Sequence, residues 1–139
     1  MIKLISKSES LAIVNRYINK ESIPEDEGLF ITYDENKFIA IANECGDCYV
    51  EEFRLLDIAL IYLLGNYESL ELLMLLDETI EEDKVCYLSE EIEVTRGIRN
   101  KNTSKADELL ISGFNKEKRP DLYKKYISQR IENLNKKME

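Results

Sequence analysis

The sequence predicts an α+β fold: a small antiparallel β-meander of three to four strands covered by helices, with a helical C-terminal part. Two observations carry this. Between Gly28 and Gly65, three short runs rich in Ile, Phe, Tyr and Val are separated by polar turn residues and followed by an apolar stretch at helical spacing. Around that stretch lie capping signals and apolar periodicities that place further helices.

The runs are Leu29 to Tyr33, Phe38 to Asn43 and Cys48 to Phe53. The gaps Asp34-Glu35-Asn36-Lys37 and Glu44-Cys45-Gly46-Asp47 are each four residues, and Gly46 can take a positive φ. In the middle run, Ile39 and Ile41 lie on one face and Phe38, Ala40 and Ala42 on the other. Neither face is polar, so this strand is expected at the centre, covered on both sides. The helix that follows begins near Phe53 or Arg54 and ends at Gly65. Its inward face is Phe53, Leu56, Leu60, Leu63 and Leu64, with Asp57 turned away.

Taken in order, Met1 to Ile5 reads as a first strand. Ser6-x-x-Glu9 is a capping box, so a helix follows, with Leu11, Val14, Tyr17 and Ile18 on one face and Arg16 and Lys20 on the other. Glu21 to Glu27 is an acidic linker containing Pro24. Ser69 to Glu81 reads as a second apolar helix, with Leu or Met on almost every side and only Glu71, Asp77 and Glu78 breaking the ring. Such a helix is expected in the core, buried on more than one side; the alternative is a homodimer contact through Leu72, Leu73, Leu76 and Ile80. Val85 to Leu88 is a candidate edge strand and Arg96 to Asn102 a basic turn. A helix capped at Thr103 or Ser104 runs to Gly113. The last helix starts at Pro120 and carries Leu122, Tyr123, Tyr126, Ile127, Ile131, Leu134 and Met138 as a stripe.

The 139-residue chain is 44% hydrophobic, with two Pro and five Gly, the composition of a folded domain. The N-terminus lacks a basic region followed by an apolar core, so no signal peptide is expected. Asp57, Gly65, Asn66, Glu68 and Glu71 interrupt the oily Leu55 to Leu76 stretch, so no membrane span is expected. Three Cys, an odd number, fit reduced thiols in a cytoplasmic setting.

Charge is divided. Residues 1–95 carry 22 acids against 7 bases, a net −15, and residues 96–139 carry 12 bases against 6 acids, a net +6. The expected organisation is an acidic α+β body over 1–95 and a basic helical segment over 96–139, packed on the body as one domain. The acidic surface is assigned to Glu44, Asp47, Glu51 and Glu52 on the hairpin and to Glu78, Glu81, Glu82 and Asp83 beyond the second helix. Carboxylates on a rigid surface suit a larger protein with a basic surface or channel, such as a nucleic-acid enzyme, and disfavour nucleic acid as a ligand of the body. In the C-terminal segment, Lys116, Lys118, Arg119, Lys124, Lys125, Arg130, Lys136 and Lys137 near Tyr123 and Tyr126 form a weaker nucleic-acid pattern.

Chemistry is sparse. Without any His, Ser-His and Cys-His catalysis are excluded. Neither a phosphate loop nor a G-x-S-x-G elbow occurs. Cys45-x-x-Cys48 lies on a hairpin beside Glu44, Asp47 and Glu51, which raise a thiol pKa, so redox work is not expected. A zinc shared between two chains is a weak metal candidate at Cys45 and Cys48. No cofactor is expected.

In composition the chain resembles the small acidic accessory proteins of phages and other mobile elements, among them anti-CRISPR proteins. That resemblance implies a non-enzymatic inhibitor that blocks a nucleic-acid-binding enzyme with its acidic surface. The rivals are a structural homodimer or regulatory module built on the Leu-rich helix, and a small-ligand-binding domain with a cleft lined by Tyr33, Tyr49 or Tyr62.

Overall fold

The computed structural model describes residues 1–65, 67–79 and 120–138. Its chain divides into two compact units, Met1–Glu78 and Thr79–Glu139.

The first unit is a four-stranded sheet with helices. Its elements are β1 (Ile2–Leu4), α1 (Lys7–Ile18), a 3₁₀ turn (Pro24–Asp26), β2 (Gly28–Asp34), β3 (Lys37–Glu44), β4 (Asp47–Phe53), α2 (Leu56–Leu64) and α3 (Leu70–Thr79). The strands lie in the order β1-β2-β3-β4. The α+β class is as expected, and β2, β3 and β4 form the expected antiparallel meander. The fourth strand departs from it: β1 pairs with β2 in parallel, Ile2 opposite Leu29 and Leu4 opposite Ile31. A parallel neighbour needs a crossover, and α1 supplies it, so the sheet is mixed.

Both hairpin loops are shorter than the polar gaps. The ladders close at Asp34↔Lys37 and Glu44↔Asp47, leaving two-residue loops. Glu35 and Asn36 have φ of 49° and 63°, and Cys45 and Gly46 have 56° and 82°. Positive φ at both central residues is the type I′ geometry, whose twist matches that of paired strands.

Helix α1 starts where the capping box puts it. Ser6 Oγ accepts from the Glu9 amide at 3.2 Å, and the Ser6 amide donates to Glu9 Oε1 at 3.2 Å. Its inward face is rotated from the expected one: Ser10 and Ile13 are buried, whereas Leu11 and Ile18 are exposed. Ile13 packs with Phe30 and Ile41, flanked by Val14, Ile39 and Cys48. Helix α2 lies against β3 and β4. The Phe53 and Tyr62 rings sit 5.4 Å apart. Phe30 and Ile41 are cross-strand partners, as are Phe38 and Phe53. In β3, Phe38 and Ile41 are an odd number of residues apart and so face opposite ways. α1 therefore covers one face of the sheet and α2 the other, as the doubly apolar β3 requires.

Gly65 ends α2 in the left-handed region, at φ 69°. The two apolar helices exchange their expected roles. All of α2 except Ile61 is buried, Asp57 included, whereas in α3 only Leu73 and Asp77 are buried. Leu72, Met74 and Leu75 are exposed. α3 is thus a peripheral helix, not the central one. Mean apolarity does not say which side of a helix meets the sheet.

In the second unit the described element is α4 (Pro120–Met138), which begins at the expected proline. Ile127, Ile131 and Leu134 are buried on its stripe, and Arg130 is fully buried with them.

Candidate functional site

The hairpin of β3 and β4 carries four of the eight expected acidic residues, and its register sorts them. Glu44 and Asp47 are the last cross-strand pair before the turn, Glu51 stands opposite Ala40, and Glu52 opposite Ile39. Alternation along β4 puts Asp47, Tyr49, Glu51 and Phe53 on the α2 side and Cys48, Val50 and Glu52 on the α1 side. The expected group is thus divided: Glu44, Asp47 and Glu51 share one side, and Glu52 points to the other. Glu52 meets Lys37 at 3.6 Å, both side chains being well exposed, so the pair is worth little. Glu44, Asp47 and Glu51 make no ion pair with a described cation, whereas Asp34 and Asp26 are taken by Lys7 at 3.0 Å and Arg16 at 2.6 Å. Between Asn43 and Phe53 the sequence holds four acids and no base. Glu78 is exposed at the end of α3. Glu81, Glu82 and Asp83 lie outside the described residues.

Aromatic rings adjoin this side of β4. Tyr49 is 61% exposed. Tyr62 is buried between Phe53 and Tyr67, the latter ring 6.0 Å away. Burial, with the nearby Glu51 charge, pushes the Tyr62 phenol up to about 12. Tyr33 belongs to another neighbourhood: its ring lies 4.7 Å from Phe38 and its hydroxyl donates to Asn36 Oδ1 at 3.0 Å.

A shallow open groove of about 510 Å³ lies between the end of α1 and the β3–β4 turn, lined by Tyr17, Lys20, Glu27, Asn43, Cys45 and Gly46 among others. Its wall is rigid. Asp26 accepts from Arg16 Nε at 2.7 Å and Nη2 at 2.6 Å and from the Ile23 amide at 3.2 Å, and its carbonyl accepts from Asn43 Nδ2 at 2.8 Å. The Arg16 guanidinium holds the Asp26 carboxyl below its ordinary range, against the opposing effect of burial. The sequence signals missed this clamp. Asp26 and Arg16 are ten residues apart on different elements, and the sequence places Arg16 only on the face of α1 opposite the expected apolar one.

Cys45 occupies the turn and is exposed; Cys48 is half-buried in β4. Burial, and then the Asp26 charge, push the Cys48 thiol up. The direction agrees with the sequence reading, but the cause is chiefly desolvation. A protonated thiol is a poor nucleophile and a poor metal ligand. Among the described residues no group of three or more metal-ligating side chains gathers.

Of the candidate dimer residues, Leu72 is 43% exposed, Leu76 half-buried and Leu73 buried, while Ile80 lies outside the described residues. The exposed apolar surface of α3 is Leu72, Met74 and Leu75. Leu73 faces inward and is unsuited to a contact. Arg130, expected among the basic contacts of the C-terminal segment, is buried, whereas Lys124, Lys125 and Lys136 are exposed.

No helix among the described residues is long and apolar enough to cross a membrane. No protein-family model, no curated protein and no solved structure matches the chain.

Proposed function

We propose that the chain is a non-enzymatic binding protein that inhibits a larger partner by setting the acidic side of its β3–β4 hairpin against a basic surface or channel. The observation that supports this most is the placement of Glu44, Asp47 and Glu51 on one side of the β3–β4 hairpin, without a described cation to neutralise them. An acidic row on a paired strand keeps its spacing, so a partner shaped for phosphates meets a preorganised set of charges. The partner class is therefore a nucleic-acid enzyme, as for the anti-defence proteins that the composition resembles. The test uses the wild-type chain and a Glu44→Lys, Asp47→Lys, Glu51→Lys variant as paired baits in host extract. A nucleic-acid enzyme captured by the wild type, released by salt, lost by the variant and inhibited in its cleavage assay is the expected result. The same proteins on both baits would refute the reading.

A second reading, self-association through α3, draws on the exposure of Leu72, Met74 and Leu75. Light scattering of the wild type and a Leu72→Glu, Leu75→Glu variant decides it. A monomeric wild type at high concentration removes it.

A further inference from the structure

We infer that the partner engages this protein by strand addition: an extended basic segment pairs with the outer edge of β4 and continues the sheet. The inference rests on the reading of the hairpin's acidic side as the contact and adds the mode and the chemistry of the occupant.

Among the described strands the sheet has two edges, β1 and β4. Unpaired strand edges are templates for pairing, and folds guard them by shortness, bulges, prolines or lysines. β1 is guarded by length, since it is only three residues long. β4 lacks these four guards, and its protection is charge alone, from Asp47, Glu51 and Glu52. It is seven residues long, pairs one-to-one with β3 without a bulge, contains no Pro, Lys or Arg, and among the described residues has a strand on one side only.

Side chains on β4 select what can approach. On the α2 side it presents Asp47, Tyr49 and Glu51 at every second residue, with Glu44 beside Asp47 across the ladder. Like charges directly opposite on neighbouring strands repel, and opposite charges attract. A second copy pairing antiparallel through β4 sets Asp47 opposite Glu51 when centred on Tyr49 and diagonal to it when centred on Val50, so self-pairing is disfavoured. An acidic or neutral strand gains nothing from the row. A strand with Lys or Arg at alternate positions places its cations beside Asp47 and Glu51 and one between them over the exposed Tyr49 ring, where a cation–π contact forms. Backbone pairing then supplies affinity, and the alternate charges supply selectivity. The same acids that keep β4 from aggregating thus make it a receptor for one kind of strand.

The test is a nine-residue peptide, acetylated and amidated, with Lys at every second position and Val or Thr between. A matched peptide is N-methylated at every interior amide, which keeps the charges and removes strand pairing. The full-length ¹⁵N-labelled chain is titrated with each at low salt, alongside an Asp47→Asn, Glu51→Gln variant. The expected result is binding of the plain peptide with slowed amide exchange at alternate residues of β4. About tenfold or greater weakening is expected both from N-methylation and in the variant. Equal binding of the methylated peptide, or binding without protection in β4, overturns strand addition and leaves the acidic-contact reading standing. No binding of either peptide by the wild type overturns both.

Discussion

Arg54 and Asp77 hold each other reciprocally, the side chain of each bonding the main chain of the other. The Arg54 amide donates to Asp77 Oδ2 at 2.7 Å, and the Arg54 guanidinium donates through Nε and Nη2 to the Asp77 carbonyl at 3.1 and 2.9 Å. Asp77 Oδ1 also accepts from the Leu55 amide at 2.9 Å. One carboxylate at the end of α3 thereby serves the amides leading into α2, whose N-cap Leu55 has no acceptor of its own, while Arg54 satisfies a late carbonyl of α3.

Asp77→Ala removes the acceptor for two amides, one of them in the buried Leu55. We expect a loss of about 2–3 kcal/mol, because orphaned buried donors carry their full desolvation cost. Urea unfolding with an unchanged slope measures it. A loss below about 0.5 kcal/mol would show that water replaces the carboxylate without penalty.

The Arg16–Asp26 pair makes stability fall in acid. Asp26 titrates below its ordinary value of 3.8 in the folded chain, so its contribution is complete above that value and disappears as pH falls through the folded pKa. Asp26→Asn should cost about 1–2 kcal/mol at neutral pH. Its deficit against wild type should shrink below pH 3.8. Urea midpoints across that range decide it, and a deficit independent of pH would mean the charge on Asp26 is irrelevant.

Tyr62 predicts the opposite limb. Its folded pKa of about 12 lies above the ordinary 10.0, so the unfolded chain loses the proton first and stability declines between those values as pH rises. Tyr62→Phe should flatten this decline while changing neutral-pH stability by less than about 1 kcal/mol. Ultraviolet titration of the phenols should show one fewer late-titrating tyrosine in the variant.

Cys45 holds φ of 56° in the β3–β4 turn, a region costly for most L residues. Cys45→Asn creates the Asn-Gly pair that type I′ turns favour. A gain of about 0.5–1 kcal/mol in unfolding free energy is expected. Binding to a basic partner should not change, since no carboxylate is altered.

Legibility followed the range of the determining interaction. The capping box at Ser6, the proline opening α4 and the glycine closing α2 act within a few residues, and each structure is where its signal lies. The burial of Asp57 and Arg130, the inward turn of Ser10 and Ile13, and the peripheral place of α3 depend on which neighbour each helix meets. The acidic residues of the hairpin were legible as a group, and alternation along β4 alone puts Glu51 and Glu52 on opposite faces. Which helix covers each face was not legible, because that depends on the packing of α1 and α2 on the sheet.

The sequence by itself determined the meander, the doubly apolar β3, the helix ends and the surplus of carboxylates, because period, turn chemistry and charge are local properties of the chain. Tertiary structure alone decided that β1 runs parallel to β2, that β4 is an edge among the described strands, and that Asp77 and Asp26 are structural anchors. Those outcomes depend on residues far apart in the chain meeting across helices and strands, and local pattern carries no record of such meetings.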